Sequence, residues 1–231
     1  MKVIITGATK GIGRAIANIF AQEGADLAVC SRTAADLTAF ETDLKKKYPS
    51  IEIISQVVDM SKKAAVLEFA ANIQSKWENI DVLVNNAGVF LPGEIVKEAD
   101  GALEQMIETN LYSAYYLTRA LLPAMKAKSH IFNMCSIASI IAYPNGGSYS
   151  ISKFALLGFS KVLREELKEQ QIKVTAILPG ATWSASWAGV DLPESRLMQA
   201  TDIAKAILGA WKMGPSAVVE EIVIRPQLGD L

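Results

Sequence analysis

Short apolar, β-branched runs alternate along the chain with longer stretches in which apolar residues recur every three or four positions. The short runs are Lys2–Thr6, Asp26–Ser31, Ile51–Val58, Ile80–Asn85, His130–Ser136, Lys173–Leu178 and Val218–Arg225. Several are apolar on both faces, which predicts strands buried in a parallel sheet. The longer stretches, 12–23, 34–47, 62–76, 100–126, 149–170 and 201–212, predict helices. Strands that alternate with helices predict repeated βα units. Right-handed crossovers then give a single α/β domain, a doubly wound parallel sheet of about seven strands with helices on both faces.

Composition agrees with this pattern. The 231 residues are 51% hydrophobic and 20% charged, enough to bury a sizeable core and too apolar for disorder. Neither a linker nor a repeat interrupts residues 1–231, and Pro179-Gly180 ends a strand without separating domains. The irregular stretch 181–200 predicts a loop that covers a substrate.

Charge removes several function classes. The net charge is -1 and the longest basic block is Lys45-Lys46-Lys47, which reads as a solvated helix end. Neither nucleic acid nor an acidic membrane surface is expected as a partner. Apolar runs stay well below the ~20 residues of a membrane span. Val3, Ile4 and Ile5 are too short for a signal-peptide core, so the cytoplasm is the expected location. Cys30 and Cys135 fall in predicted strands and suggest neither a disulfide framework nor a metal site.

Chemistry begins immediately after the first strand, at Thr6-Gly7-Ala8-Thr9-Lys10-Gly11-Ile12-Gly13, with a helix following. Glycines in a strand-turn-helix allow a tight turn and close backbone approach to a pyrophosphate, and the helix start offers unpaired N–H groups. The second strand ends Cys30-Ser31-Arg32. An acidic residue there would repel a ribose 2′-phosphate, whereas Ser31 can hydrogen-bond one and Arg32 can fork onto it. Lys10 adds a second cation, although Lys10 and Arg32 also fit the description of ordinary surface charges. NADP(H) is therefore expected over NAD(H). Asp59-Met60 follows the third strand, and Asn85-Asn86-Ala87-Gly88 closes the fourth. Strand carboxyl ends form the edge where open α/β sheets bind ligands. Further on, Ser136 ends the fifth strand and Tyr149-x-x-x-Lys153 opens a helix, a spacing that puts both side chains on one helix face.

The order T-G-x-x-x-G-x-G, N-N-A-G, Ser136, Tyr149 and Lys153 resembles the short-chain dehydrogenase/reductase family from Thr6 to Pro226. The resemblance implies a Rossmann fold and an NADP(H)-dependent oxidoreductase that moves hydride between nicotinamide and a small carbonyl or alcohol. It implies Ser136, Tyr149, Lys153 and Asn110 as catalytic residues. It also implies a cofactor site of Gly7, Thr9, Lys10, Gly11, Ile12, Gly13, Ser31, Arg32, Asp59, Met60, Asn86, Ala87, Gly88, Tyr149, Lys153, Pro179, Gly180 and Thr182.

The residue types suit that chemistry. A carbonyl that receives hydride needs a proton at oxygen, and a tyrosine with a pKa of about 10 needs a nearby cation to supply it near neutrality. Lys153 is expected to lower Tyr149 and to hold ribose hydroxyls, while Ser136 positions the substrate oxygen. Asn110 is implied in a proton relay, although a local backbone hydrogen bond also explains an Asn in mid-helix. Thr182 comes one residue earlier than the commonest family pattern. Trp183, Trp187, Tyr143 and Met198 are candidates for either a substrate surface or core. His130, the single histidine, is expected to be structural.

Two other readings remain. A nucleotide-sugar epimerase needs a C-terminal sugar domain for which the chain looks short, and an NADP-sensing regulatory protein would not need the full Ser, Tyr and Lys set. Family members assemble through their two long helices, so a homodimer or homotetramer is expected.

Overall fold

The computed structural model describes residues 1–183 and 193–229. Its strands are β1 (Lys2–Thr6), β2 (Asp26–Ser31), β3 (Ile53–Val57), β4 (Ile80–Asn85), β5 (Met125–Met134), β6 (Lys173–Pro179) and β7 (Glu221–Ile224). They form one sheet in the order β3-β2-β1-β4-β5-β6-β7, parallel throughout. The helices are α1 (Gly11–Gln22), α2 (Ala34–Lys47), α3 (Lys63–Gln74), α4 (Ala102–Ile107), α5 (Ser113–Leu121), α6 (Gly147–Leu167) and α7 (Ala200–Trp211). This is the expected doubly wound, single-domain Rossmann-type fold.

The alternation of side chains along each strand feeds two cores. Val3 and Ile5 of β1, Leu27 and Val29 of β2, and Val82 and Val84 of β4 pack with Phe20 of α1, Phe40 of α2 and Ile207 of α7. The intervening Ile4, Ala28, Cys30 and Leu83 face the other way, onto Phe69 of α3, Leu117 of α5 and Leu163 of α6. Covering both faces is why these strands read as continuous apolar runs, since successive side chains point to opposite sides. Among the described residues no helix is long and apolar enough to cross a membrane.

The helix expected over 100–126 is four pieces. After α4 the backbone widens into a π-helical segment, Glu108–Tyr112, then resumes as α5 and ends in a 3-10 turn, Leu122–Ala124. Pro123 lies in that turn, where its missing N–H cannot extend an α-helical ladder. β5 consequently starts at Met125, earlier than expected, with a register irregularity between Ile80 and Val82 of β4. The edge strands β3 and β7 are shorter than their apolar runs, and each has a partner on one side only. Met198 belongs to the core that α1, α2 and α7 cover, so it packs the interior and is not a substrate surface. Trp187 and most of the expected covering loop, 184–192, lie outside the described residues.

His130 is fully buried in β5, stacked on Phe132 with ring centroids 3.9 Å apart, and its Nε2 pairs with Thr175 Oγ1 at 2.6 Å. Its role is structural, as expected. Burial pushes its pKa from 6.5 down to about 3. The unfolded chain therefore takes up a proton that the folded one refuses, so stability is full above pH 6.5 and falls as pH drops towards 3. Urea denaturation should show His130 removing up to about 2 kcal/mol between pH 7.5 and pH 5. In His130→Gln that share of the pH dependence should vanish.

Candidate active site

Parallel strands bring all seven carboxyl ends to one edge, and the β1-α1 turn sits where the strand order reverses between β1 and β4. The turn is held from the β4 side. Thr6 Oγ1 accepts from the N–H groups of Asn86 and Ala87, both at 2.9 Å, and Asn86 Nδ2 donates to the carbonyls of Thr6 and Gly7 at 2.9 and 3.1 Å. The packing leaves no room at Gly13, where a Cβ would collide with the Gly7 carbonyl and the Asn86 amide. Lys10, at the N-cap of α1, makes no side-chain cap hydrogen bond, so the first N–H groups of the helix remain for a ligand.

A cleft of about 520 Å³ runs from this turn along the ends of β2, β3 and β4. Of the expected cofactor residues, Gly7, Thr9, Lys10, Gly11, Ile12, Gly13, Ser31, Arg32, Asp59, Met60, Asn86, Ala87 and Gly88 line it. Thr33, Asp36, Val58, Ser61, Val89, Gln105 and Thr109 line it too and were missed from sequence. Gln105 and Thr109 share a helix face, a four-residue spacing that offered the only cue. Asp36 changes the picture at the 2′-phosphate end: its carboxylate pairs with Lys10 Nζ at 2.8 Å. Ser31 Oγ closes a local turn with the Thr33 backbone, and Arg32 is exposed at the rim. The Asp59 carboxylate accepts from Ser61 N and Oγ at 3.0 and 2.8 Å, and the backbone bond to Ser61 heads the influences holding its carboxyl below the usual range. Cradle, free helix N–H groups and cleft together fit a dinucleotide.

Ser136, Tyr149 and Lys153 lie beyond the cleft, on the same sheet edge. Ser136 caps a 3-10 turn, Ile137–Ser139, its Oγ accepting from Ala138 N at 3.1 Å and its own N–H donating to Ser139 Oγ at 3.1 Å. Its hydroxyl proton is thereby left for an oxygen outside the turn. Lys153 is 4% exposed, with Nζ donating to Met134 O at 2.7 Å and lying 5.6 Å from the Tyr149 ring centroid. Burial lowers its pKa from 10.5 to about 8. Tyr149 goes against expectation. Burial pushes its hydroxyl above the ordinary tyrosine value, and the hydrogen bond with Ser136 only partly opposes this. Gly88 joins the two regions, since a Cβ there would be 3.6 Å from Lys153 Nζ.

Asn110 stands in the π-helical segment, 1% exposed. Its Oδ1 accepts from Val89 N at 2.7 Å, and its Nδ2 donates to Val89 O at 3.0 Å and Ser152 Oγ at 2.9 Å. Ser152, missed from sequence, donates in turn to Tyr149 O at 2.7 Å. Both N–H groups of Asn110 are thus used within the protein, bracing α6 against the chain after β4. Widened helical turns of this kind often mark functional positions.

Pro179 ends β6, and Gly180 N donates to Ile224 O at 2.8 Å. The Thr182 hydroxyl donates to Gly180 O at 3.0 Å, and a short bridge ties Thr182 to Met198. These three residues lie past the cleft lining described above. Tyr143 and Trp183 are partly exposed, as candidates for a substrate surface should be.

A family model described as short chain dehydrogenase matches residues 1–193. The chain is 33% identical over 239 aligned positions to a sepiapterin reductase of Chlorobaculum tepidum, covering 99% of this chain and 97% of that one. An alcohol dehydrogenase of the archaeon Thermococcus sibiricus, solved with 5-hydroxy-NADP, superposes with a TM-score of 0.91 at 26% identity, over 100% of this chain and 98% of that one. L-sorbose reductase of Gluconobacter frateurii, solved with NADPH and L-sorbose, gives 0.88 at 26% identity, over 97% and 95%.

Gly13→Ala should weaken NADPH binding at least about tenfold in a fluorescence titration, because the added methyl pushes the turn away from the phosphates. Unchanged affinity would remove the turn from the cofactor site.

Proposed function

The chain belongs to the short-chain dehydrogenase family, and from that premise we propose that Ser136, Tyr149 and Lys153 handle the proton in NADP(H)-dependent reduction of a small carbonyl, or oxidation of the alcohol. Oxidoreductase chemistry on CH–OH and C=O groups with NADP(H) follows from the family and from relatives bound to that nucleotide. One observation carries the assignment of roles: a buried lysine ammonium beside a half-buried tyrosine ring, next to Gly88 of a cleft that fits a dinucleotide.

Gly7 to Gly13 would hold the pyrophosphate on the N-terminus of α1, with Asp59, Met60 and Ala87 for the adenosine half. Ser31 and Arg32 would hold the 2′-phosphate, and Lys10, which pairs with Asp36, would add a second cation there. When bound, NADPH supplies a hydride to the substrate carbon. Tyr149 gives its hydroxyl proton to the substrate oxygen, and Ser136 donates a hydrogen bond to that oxygen and holds it in place. Lys153 stabilises the tyrosinate left behind and, lying beside Gly88, would also hold the ribose hydroxyls. Asn110 acts through the brace to Val89 and Ser152, with one Oδ1 lone pair left for the relay implied by the family. Pro179, Gly180 and Thr182 would complete the nicotinamide side.

The same proposal makes the enzyme a homodimer or homotetramer in the cytoplasm. Tyr112, Tyr115, Ile151, Phe154 and Val162 put exposed apolar surface on and beside α5 and α6, which a second copy would cover. An NADP-sensing reading without turnover has no use for so costly a buried lysine.

Tyr149→Phe should lose at least about 10²-fold in NADPH oxidation across small ketones, diketones and pterins, while NADPH binding stays within about threefold. Wild-type turnover in this variant would end the Tyr149 assignment. Arg32→Ala should narrow the preference for NADPH over NADH about tenfold, and an unchanged ratio would remove Arg32 from the 2′-phosphate site.

A further inference from the structure

Between β4 and α4 the chain passes the mouth of the site, where Phe90 sets its ring edge-on to Tyr149 with centroids 4.8 Å apart. Tyr149 lies in the first turn of α6, and the N-cap of that helix is Gly146, which has no side chain to satisfy the leading N–H groups. The cap comes instead from 50 residues upstream. One oxygen of Glu98, Oε1, accepts from Ser148 N at 2.9 Å, and the other, Oε2, accepts from Ser148 Oγ. A carboxylate at a helix N-terminus is also favoured by the helix dipole.

Gly93 completes the clasp. Its N–H donates to Asn145 O at 3.0 Å, and Gly93 and Gly146 form an isolated parallel bridge. The surfaces meet without slack: a Cβ on Gly93 would lie 2.6 Å from Glu98 Cγ, and one on Gly147 would collide with Glu98 Oε1. Asn110 already anchors the root of the same loop at Val89. The loop beyond that root is held to α6 through Glu98 and Gly93, and none of Gly93, Glu98 and Ser148 lines the dinucleotide cleft.

We propose that Glu98 is a positioning residue for the reaction: by clasping the loop after β4 to the first turn of α6, it fixes Tyr149 against Phe90 and sets the substrate side of the site. The inference rests on Tyr149 being the proton donor. Its consequence is selective. Loosening the clasp misplaces the donor and the substrate wall but leaves the glycine turn and the 2′-phosphate end untouched, so turnover falls while NADPH affinity holds.

The experiment uses the whole protein, NADPH, and whichever member of a panel of small ketones, diketones and pterins the wild type reduces fastest. Glu98→Ala should lower kcat about tenfold or more, since small displacements of reacting groups are costly, with the KM for NADPH within about twofold. Glu98→Gln should restore most of the rate, because its amide oxygen still accepts from Ser148 N. Ser148→Ala, which removes only the hydroxyl bond, should lose severalfold. Wild-type kcat in Glu98→Ala overturns the proposal, and so does a parallel loss of kcat and NADPH binding. If Glu98→Ala does not fold, the other two variants decide. A Glu98→Gln protein that folds but turns over poorly, or a Ser148→Ala protein at the wild-type rate, overturns it equally. Tyr149→Phe run alongside separates the two failures, because retained turnover there strikes the proton-donor reading itself.

Discussion

Every strand of the sheet runs the same way because helices cover both faces and each connection must cross over to the next strand with the same hand. That single constraint puts all the strand carboxyl ends at one edge. The glycine turn after β1, Ser31 at the end of β2, Asp59 after β3, Asn86 after β4 and Ser136 after β5 are far apart in the chain and neighbours in space for this reason. The reversal of strand order between β1 and β4 then opens the crevice between them, and the hydrogen bonds of Thr6 with Asn86 and Ala87 hold its walls together.

The chemistry at that edge works against the stability of the fold. A lysine whose pKa falls from 10.5 to about 8 is costing the folded state about 3 kcal/mol at neutral pH, relative to the same group in water. One carbonyl, that of Met134, offsets part of this cost. The raised tyrosine beside it has the same cause: desolvation is the largest influence on both groups. An added positive charge from oxidised nicotinamide would act on Tyr149 in the direction opposite to burial.

Rigidity around the pair comes from polar groups on the neighbouring elements. Asn110 spends its amide on Val89 and Ser152, Ser152 bonds the Tyr149 carbonyl, and Glu98 caps the helix that carries Tyr149. The π-helical widening at Glu108–Tyr112 answers the puzzle of an asparagine in the middle of a helix: the side chain there reaches a neighbouring loop instead of its own backbone.

Much of this was legible in the sequence. Hydrophobic periodicity is a local property, so it determined which segments became strands and helices, and β1, β2 and β4 fall on their apolar runs to the residue. The glycine turn and the spacing of Ser136, Tyr149 and Lys153 are local too, since one turn or one helical repeat needs only adjacent residues to declare itself. The pairings were not legible. Lys10 with Asp36, Asn110 with Ser152, and Glu98 with Ser148 join segments whose separation says nothing about their distance in space. The raised Tyr149 was not legible either, because a pKa depends on how much water the surrounding elements exclude, and only the packed tertiary structure decides that.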